Sequence, residues 1–264
     1  MEYLLVDQQC ISVVLDVKEI LDFSWCPRYY DLKHENPNER NLKEAYDIAL
    51  HKCFYQYLLA LQNNTPSGIK TLKYRWGKEW IKQKTNTEII CTPSALKRDT
   101  YDAKRKAGID AIITFDKIMN TPQYPIIINK EYSIDITKDI ALKGIWEYVR
   151  EIEVNGSKVI QLMKFRTENN RFQILNQMNH DLELTAAALA FKDTFNISEL
   201  EFQLVYVDIY KKKMIASYRT DKDFKLLKNT VISVAKCLRD EIRCVSPDKK
   251  CYHCEYRDIC SSSL

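Results

Sequence analysis

Turn-forming residues are scarce in this chain: five glycines and seven prolines in 264 residues. Collagen-like, linker-like and many-turned all-β organisations need far more of them, so these are excluded and long helices are expected. Five isolated glycines also make neither a phosphate-cradling loop nor a dinucleotide fingerprint. An intrinsic ATPase or helicase motor is thereby excluded, and any motor must be a partner. No stretch approaches the ~18 uninterrupted apolar residues of a membrane span. The N-terminal MEYLLVDQQCISVVL carries acids where a secretory leader has a basic start, so an intracellular, cytoplasmic chain with no membrane partner is expected. An excess of one charge is lacking too: 40 Lys+Arg against 36 Asp+Glu leave +4, so any basic surface has to be local.

Hydrophobic residues make up 45% of the chain, enough to bury a core, and the length allows one large domain or two small ones. Residues 1–264 are read as a single domain. Ser24 and Pro27 bracket a turn between two helical segments in VKEILDFSWCPRYYDLK, and Cys26 sits in that turn. LKEAYDIALHKCFYQYLLAL keeps apolar residues at helical spacing and carries His51. Residues 69–123 read as a helical insert holding Lys97, Arg98, Lys104, Arg105 and Lys106. From Tyr124 the texture turns to strands: PIIINKEYSIDI, IALKGIWEYVREI and KVIQLMKFRT, the last two joined by Asn155-Gly156, a hairpin signal. An Ala-rich helix follows from Leu182, then strands EFQLVYVDIY and KMIASYRT, then a long helix with Asp221 near its start. Alternating strands and helices point to an α/β fold.

Nine cysteines are many for a reducing compartment, and an odd number does not suit a fully paired disulfide framework. Residues 244–264 contain Cys251-x2-Cys254-x5-Cys260, where a two-residue gap lets two thiolates face one metal. A fourth ligand is needed. Cys244 would close a small local zinc site, whereas Cys26 would tie the chain's ends together, and spacing alone does not choose between them. A bridge from Cys26 would close a loop of more than two hundred residues. Such closure stabilises by roughly 4 to 5 kcal/mol in the chain-entropy model.

Cys26 within Trp25-Cys26-Pro27-Arg28-Tyr29, together with the C-terminal trio, resembles the iron-sulfur-stapled, RecB-like branch of the PD-(D/E)XK nucleases. That branch includes CRISPR-associated exonucleases, the AddB nuclease and the nuclease domain of the eukaryotic replication helicase-nuclease. The similarity runs from about Ile20 to Cys260. It implies a restriction-endonuclease-like mixed central sheet flanked by helices, with Cys26, Cys251, Cys254 and Cys260 holding a 4Fe-4S cluster and Zn²⁺ as the alternative occupant. It also implies Mg²⁺ or Mn²⁺ at an active site and DNA, single-stranded, as substrate. A helicase, an integrase-like protein or another DNA-processing protein is the implied partner.

By position, the resemblance implies His51 as the family histidine and Glu147, in Gly144-Ile145-Trp146-Glu147, as the first acid, one methylene longer than the family aspartate. Lys164 is the implied lysine. The second acid normally stands two residues before that lysine, and here Leu162 stands there. Leucine cannot ligate a hard cation. Gln161 is a poor substitute because side chains alternate along a strand. The following helix normally carries Q-x-x-x-Y, and here it offers Glu183 and Ala187. Glu183 is either a migrated acid that rebuilds a weak metal site with Glu147, His51 and Lys164, or a remnant. Loss of the acid and of both strand-positioning residues implies a DNA-binding protein with reduced or lost catalysis. The alternatives are an active Mg²⁺/Mn²⁺-dependent exonuclease and a zinc-stapled or redox iron-sulfur protein.

Lys164, Arg166 and Arg171, with Lys97, Lys104 and Arg105, are the candidate phosphate contacts; solvated surface charge is the plain alternative. Trp76 and Trp80, one helical turn apart, are either a base-stacking platform or a packing stripe. Cys53 cannot form a nucleophilic dyad with His51, since residues two apart on a helix face different directions.

Overall fold

A computed structural model describes residues 13–36, 39–65, 67–86, 88–90, 101–119, 124–167, 181–198, 202–244 and 249–260. Its centre is a six-stranded mixed sheet built from β1 (Val13–Asp16), β4 (Tyr124–Thr137), β5 (Ile140–Val154), β6 (Ser157–Arg166), β7 (Phe202–Asp208) and β8 (Lys213–Ser217). A second, two-stranded ribbon pairs β2 (Glu39–Asn41) with β3 (Glu88–Ile90) in parallel. The three strands read from the sequence at 124–166 are all present. β1, β2 and β3 were not anticipated, because runs of three or four residues carry too little periodicity to separate strand from helix start.

Two helical layers cover the sheet. On one face lie α1 (Val17–Trp25), α6 (Leu182–Phe195) and α7 (Asp221–Arg239), which share a core with Leu142, Trp146, Leu162 and Leu204. On the other lie α3 (Leu42–Gln62), α4 (Ile69–Asn86) and α5 (Tyr101–Met119), packed on Tyr148, Met163, Phe165 and Val207. α4 and α5 therefore share the sheet's own hydrophobic core. Trp76 and Trp80 are 1% and 0% exposed and stack on each other, so they are packing residues with no face left for a base. The Trp76 indole donates to the Arg105 carbonyl at 3.0 Å, which ties α4 to α5.

Local chemistry accounts for the element ends. Asp16 caps α1 with a reciprocal bond to Glu19. Cys26 ends α1 and begins α2 (Pro27–Glu35), with Pro27 in the first turn where its missing N–H costs nothing. Asn155 and Gly156 both take positive φ (52° and 77°), the hairpin turn that joins β5 to β6.

The sheet is forked. β4 runs antiparallel along one edge of β5. On the other edge β1 pairs in parallel as far as Lys143, and β6 takes over from Tyr148. Opposite Glu147, Asn129 of β4 adopts φ 45°. Across this point the alternation of faces flips, for Trp146 enters one core and Tyr148 the other, although residues two apart on a regular strand share a face. Asparagine tolerates the left-handed region better than most side chains, which makes it a suitable residue for this break.

At the fork Gly144 lies under the ring of Tyr132, and a β-carbon there would overlap that ring. Gly144→Ala is expected to cost about 1–3 kcal/mol, the range for overpacking a filled core. Urea denaturation measures it. Tyr132→Leu in the same chain should recover part of the loss, and strict additivity of the two changes would contradict the packing explanation.

Candidate active site

Four of the residues singled out in the sequence converge at the fork. Glu147 lies where the ladder along β5 is interrupted, and its Oε2 accepts the backbone N–H of Phe165 at 2.8 Å. His51, from α3, places Nδ1 3.9 Å from the same oxygen and 3.2 Å from the Tyr55 hydroxyl. Burial pushes the Glu147 carboxyl up to about 8, against the opposing pull of Lys164 and the Phe165 N–H. Burial likewise lowers His51 to about 4, although Asp47 one turn earlier opposes the shift. At neutral pH the two face each other as a largely protonated acid and a neutral imidazole, so their contact is not a salt bridge.

Lys164 points to the α6 side of the sheet. Its ammonium donates to Glu183 and to Asp181, the latter at 2.9 Å to Oδ2 and 3.2 Å to Oδ1. The carboxylates raise the lysine well above its ordinary value despite its burial, and the Lys164 ammonium with the Leu184 N–H holds Asp181 low against its own burial. The lysine that the resemblance implies at the catalytic position is thus engaged by two carboxylates.

Asp181 was missed. It caps α6 by accepting the Leu184 N–H at 2.8 Å, and Tyr206, opposite Lys164 on β7, donates to it. An Asp immediately before an apolar helical run is an N-cap signal, and that was the only mark available in the sequence. Asp47 was missed as well; its carboxylate accepts the hydroxyl of Thr167 at the end of β6. The start of α6 is pinned from two sides. The Trp146 indole donates to the Ala187 carbonyl at 3.0 Å, and the Thr185 hydroxyl donates to the Asp181 carbonyl at 2.6 Å.

Leu162, where the family places its second acid, is 2% exposed within the hydrophobic core. Gln161 faces the other way, accepting from Arg150 and donating to Gln203. Cys53 is fully buried and its thiol is pushed up to about 12, so it is inert as a nucleophile. Of the basic candidates, Lys97 and Arg171 lie outside the described residues, as does Arg98. Arg166 is half-buried, Lys104 sits over the Tyr46 ring at 5.2 Å, and Arg105 is exposed.

The two ends of the described chain meet. The Tyr29 hydroxyl donates to Glu255 at 2.9 Å, the Tyr29 and Tyr256 rings lie 5.5 Å apart, and Arg243 grips Asp31 at 3.0 and 3.1 Å. Cys26, Cys251, Cys254 and Cys260 are half-buried and in no disulfide. Burial pushes the Cys254 thiol up to about 11, and Cys26 and Cys260 are near enough to add to that shift. In donor chemistry the four suit a soft metal or cluster, and Cys26 lies with the tail instead of apart from it. Cys244 is exposed. Among the described residues, no group of three or more His, Cys, Asp or Glu is arranged to hold a metal ion. No helix among them is long and apolar enough to cross a membrane.

Removing the Lys164 charge leaves Glu183 and Asp181 without their cation. Lys164→Met is therefore expected to cost about 3–5 kcal/mol at neutral pH, the penalty for orphaning buried charge. Adding Glu183→Gln should return part of it. Chemical denaturation checks both, and a Lys164→Met protein as stable as wild type would show that the ion pair does not constrain the fold.

A family model described as the PD-(D/E)XK nuclease superfamily matches residues 18–261. No curated protein matches the sequence. Among solved structures, one described as "Crystal structure of SSO0001" aligns at 13% identity over 95% of this chain and 87% of that one, with a TM-score of 0.39. The matched span takes in β4 to β8, Glu147, Lys164, Cys26, Cys251, Cys254 and Cys260, and on that match the chain belongs to the PD-(D/E)XK nuclease superfamily.

Proposed function

We propose that this protein binds DNA through a nuclease-type fold whose hydrolytic activity is reduced or lost. One observation carries the reading. Leu162 is buried in the hydrophobic core where the second metal-binding acid belongs, while Lys164, which would orient the attacking water, is neutralised by Asp181 and Glu183. A divalent ion needs several oxygen ligands. Glu147 is engaged by the Phe165 N–H, and Asp181 and Glu183 by Lys164, so the oxygens a cation would need are already in use. DNA is the substrate class suggested by superfamily membership, and a helicase or integrase-like protein would supply the motor or joining activity that this chain lacks.

A second reading has its own support. Glu147, Asp181 and Glu183 all lie around one lysine, whose single positive charge cannot balance every one of these partly buried carboxylates when ionised. With Asp181 or Glu183 as a relocated acid, the site would be a weak Mg²⁺- or Mn²⁺-dependent exonuclease centre. The metal would polarise the phosphoryl group, and Lys164 would have to leave its ion pairs to orient water.

For the chain ends we propose a 4Fe-4S cluster held by Cys26, Cys251, Cys254 and Cys260. Support comes from the electrostatic proximity of Cys254 to Cys26 and Cys260, and from the contacts of α2 with Glu255 and Tyr256. Its role would be that of a staple, with zinc as the competing occupant.

Incubation of the complete protein with end-labelled single-stranded DNA and Mn²⁺ is expected to give a shifted complex with little cleavage. Cleavage abolished by both Lys164→Ala and Glu183→Ala would instead establish the relocated-acid nuclease. Protein purified without oxygen is expected to be coloured, with the visible absorption of a four-thiolate iron-sulfur cluster, and Cys26→Ser should bleach it. A colourless sample with stoichiometric zinc would overturn the cluster assignment.

A further inference from the structure

Beside the fork, part of the sheet face on the α3 side is uncovered among the described residues. Leu15 and Leu142 pair across β1 and β5 and enter the core under α1, α6 and α7. The next and last pair of that ladder, Asp16 and Lys143, therefore faces the opposite side of the sheet, where α3 and His51 stand. Val14 and Ile145 share that side by alternation and are 46% and 40% exposed. Lys143 is exposed as well, and β5 runs on from it to Glu147.

Lys18 borders the same opening. Its backbone N–H donates to the Asp16 carboxylate at 2.7 Å, which fixes it in the first turn of α1, immediately after β1 leaves the sheet. Its side chain is exposed. Burial is the main cause of the low His51 value, and the Lys18 ammonium lies near enough to the imidazole to add to it, as does Lys164. The cations differ in their company. Lys164 is committed to Asp181 and Glu183, whereas the ammonium groups of Lys18 and Lys143 have no carboxylate partner among the described residues.

The acids on this side of the sheet leave the two lysines available. Asp16 is used as the cap of α1. Glu131 and Asp135 stand on β4, which flanks β5 on the edge away from β1, and the residue opposite Lys143 there is Ser133.

We propose that Lys18 and Lys143 bind backbone phosphates of a single strand laid across this open face toward Glu147 and His51. The proposal rests on the DNA-binding reading given above and deepens it by assigning the contacts to the strand's phosphodiesters. A lysine suits that task, because its ammonium is a point charge on a flexible stem and the counterions released from the strand supply the affinity.

The test is equilibrium binding of the complete protein, over a series of salt concentrations, to two fluorescent strands of equal length, oligothymidine and a wholly abasic sugar-phosphate chain. Lys18→Gln and Lys143→Gln are each expected to weaken binding of both strands about fivefold at about 0.1 M salt. Each should also reduce the slope of log affinity against log salt by about 0.7, the signature of one lost phosphate contact on a single strand, and the double variant should reduce it by about 1.4. Lys18→Arg should behave as wild type. Lys225→Gln, the same change at an exposed position on α7, should alter neither affinity nor slope, and all of these variants should melt with wild type because the side chains are exposed. If the double variant keeps wild-type affinity and slope, or if Lys225→Gln weakens binding equally, the assigned contacts are overturned while DNA binding stands. If wild type binds neither strand, the DNA-binding reading falls and the assigned contacts fall with it.

Discussion

A buried ammonium must find negative charge, and the way Lys164 does so organises the centre of this protein. Its partners, Asp181 and Glu183, come from the first residues of α6, so the start of that helix is drawn onto the face of β6. The helix is then held by contacts that have nothing to do with charge, the Trp146 indole on the Ala187 carbonyl and the Thr185 hydroxyl on Asp181. With the lysine satisfied from that side, Glu147 turns to the Phe165 N–H and to His51. Two half-sites result, one an ammonium shared by two carboxylates, the other a buried acid beside a neutral ring.

The forked sheet makes this division possible. A continuous ladder would use every backbone donor along β6, whereas here β5 exchanges β1 for β6 and a carboxylate accepts the Phe165 N–H. Asn129, in the left-handed region opposite Glu147, is the visible strain of the arrangement. Strained backbone at a site is tolerated when surrounding packing over-determines it, and both hydrophobic cores close on this point.

How much of this could be read in advance depends on the range of the interaction involved. The hairpin at Asn155-Gly156, the long helices carrying His51 and Glu183, and the turn holding Cys26 all follow from neighbours within a few residues. Leu162 could be recognised as a departure because its position relative to Lys164 is a matter of spacing alone. Asp181 could not be read the same way. In sequence it is an N-cap, and it becomes Lys164's partner only because α6 packs across β6. Trp76 and Trp80 could be read as a binding platform or as core, and burial by α3 and α5 decided for core.

From the chain alone came the α/β character and the absence of a phosphate loop; the family resemblance added Cys26 with the late cysteine trio as a candidate staple and the missing acid before Lys164. Composition and periodicity are sufficient for the first two because each is a count along one dimension. Tertiary structure decided the rest: that Lys164 is consumed by two acids, that Glu147 and His51 meet as nearly uncharged groups, and that Cys26 lies beside the tail. Those outcomes depend on which distant surfaces are buried against each other, and burial sets both the company a charged group keeps and the protonation state it prefers.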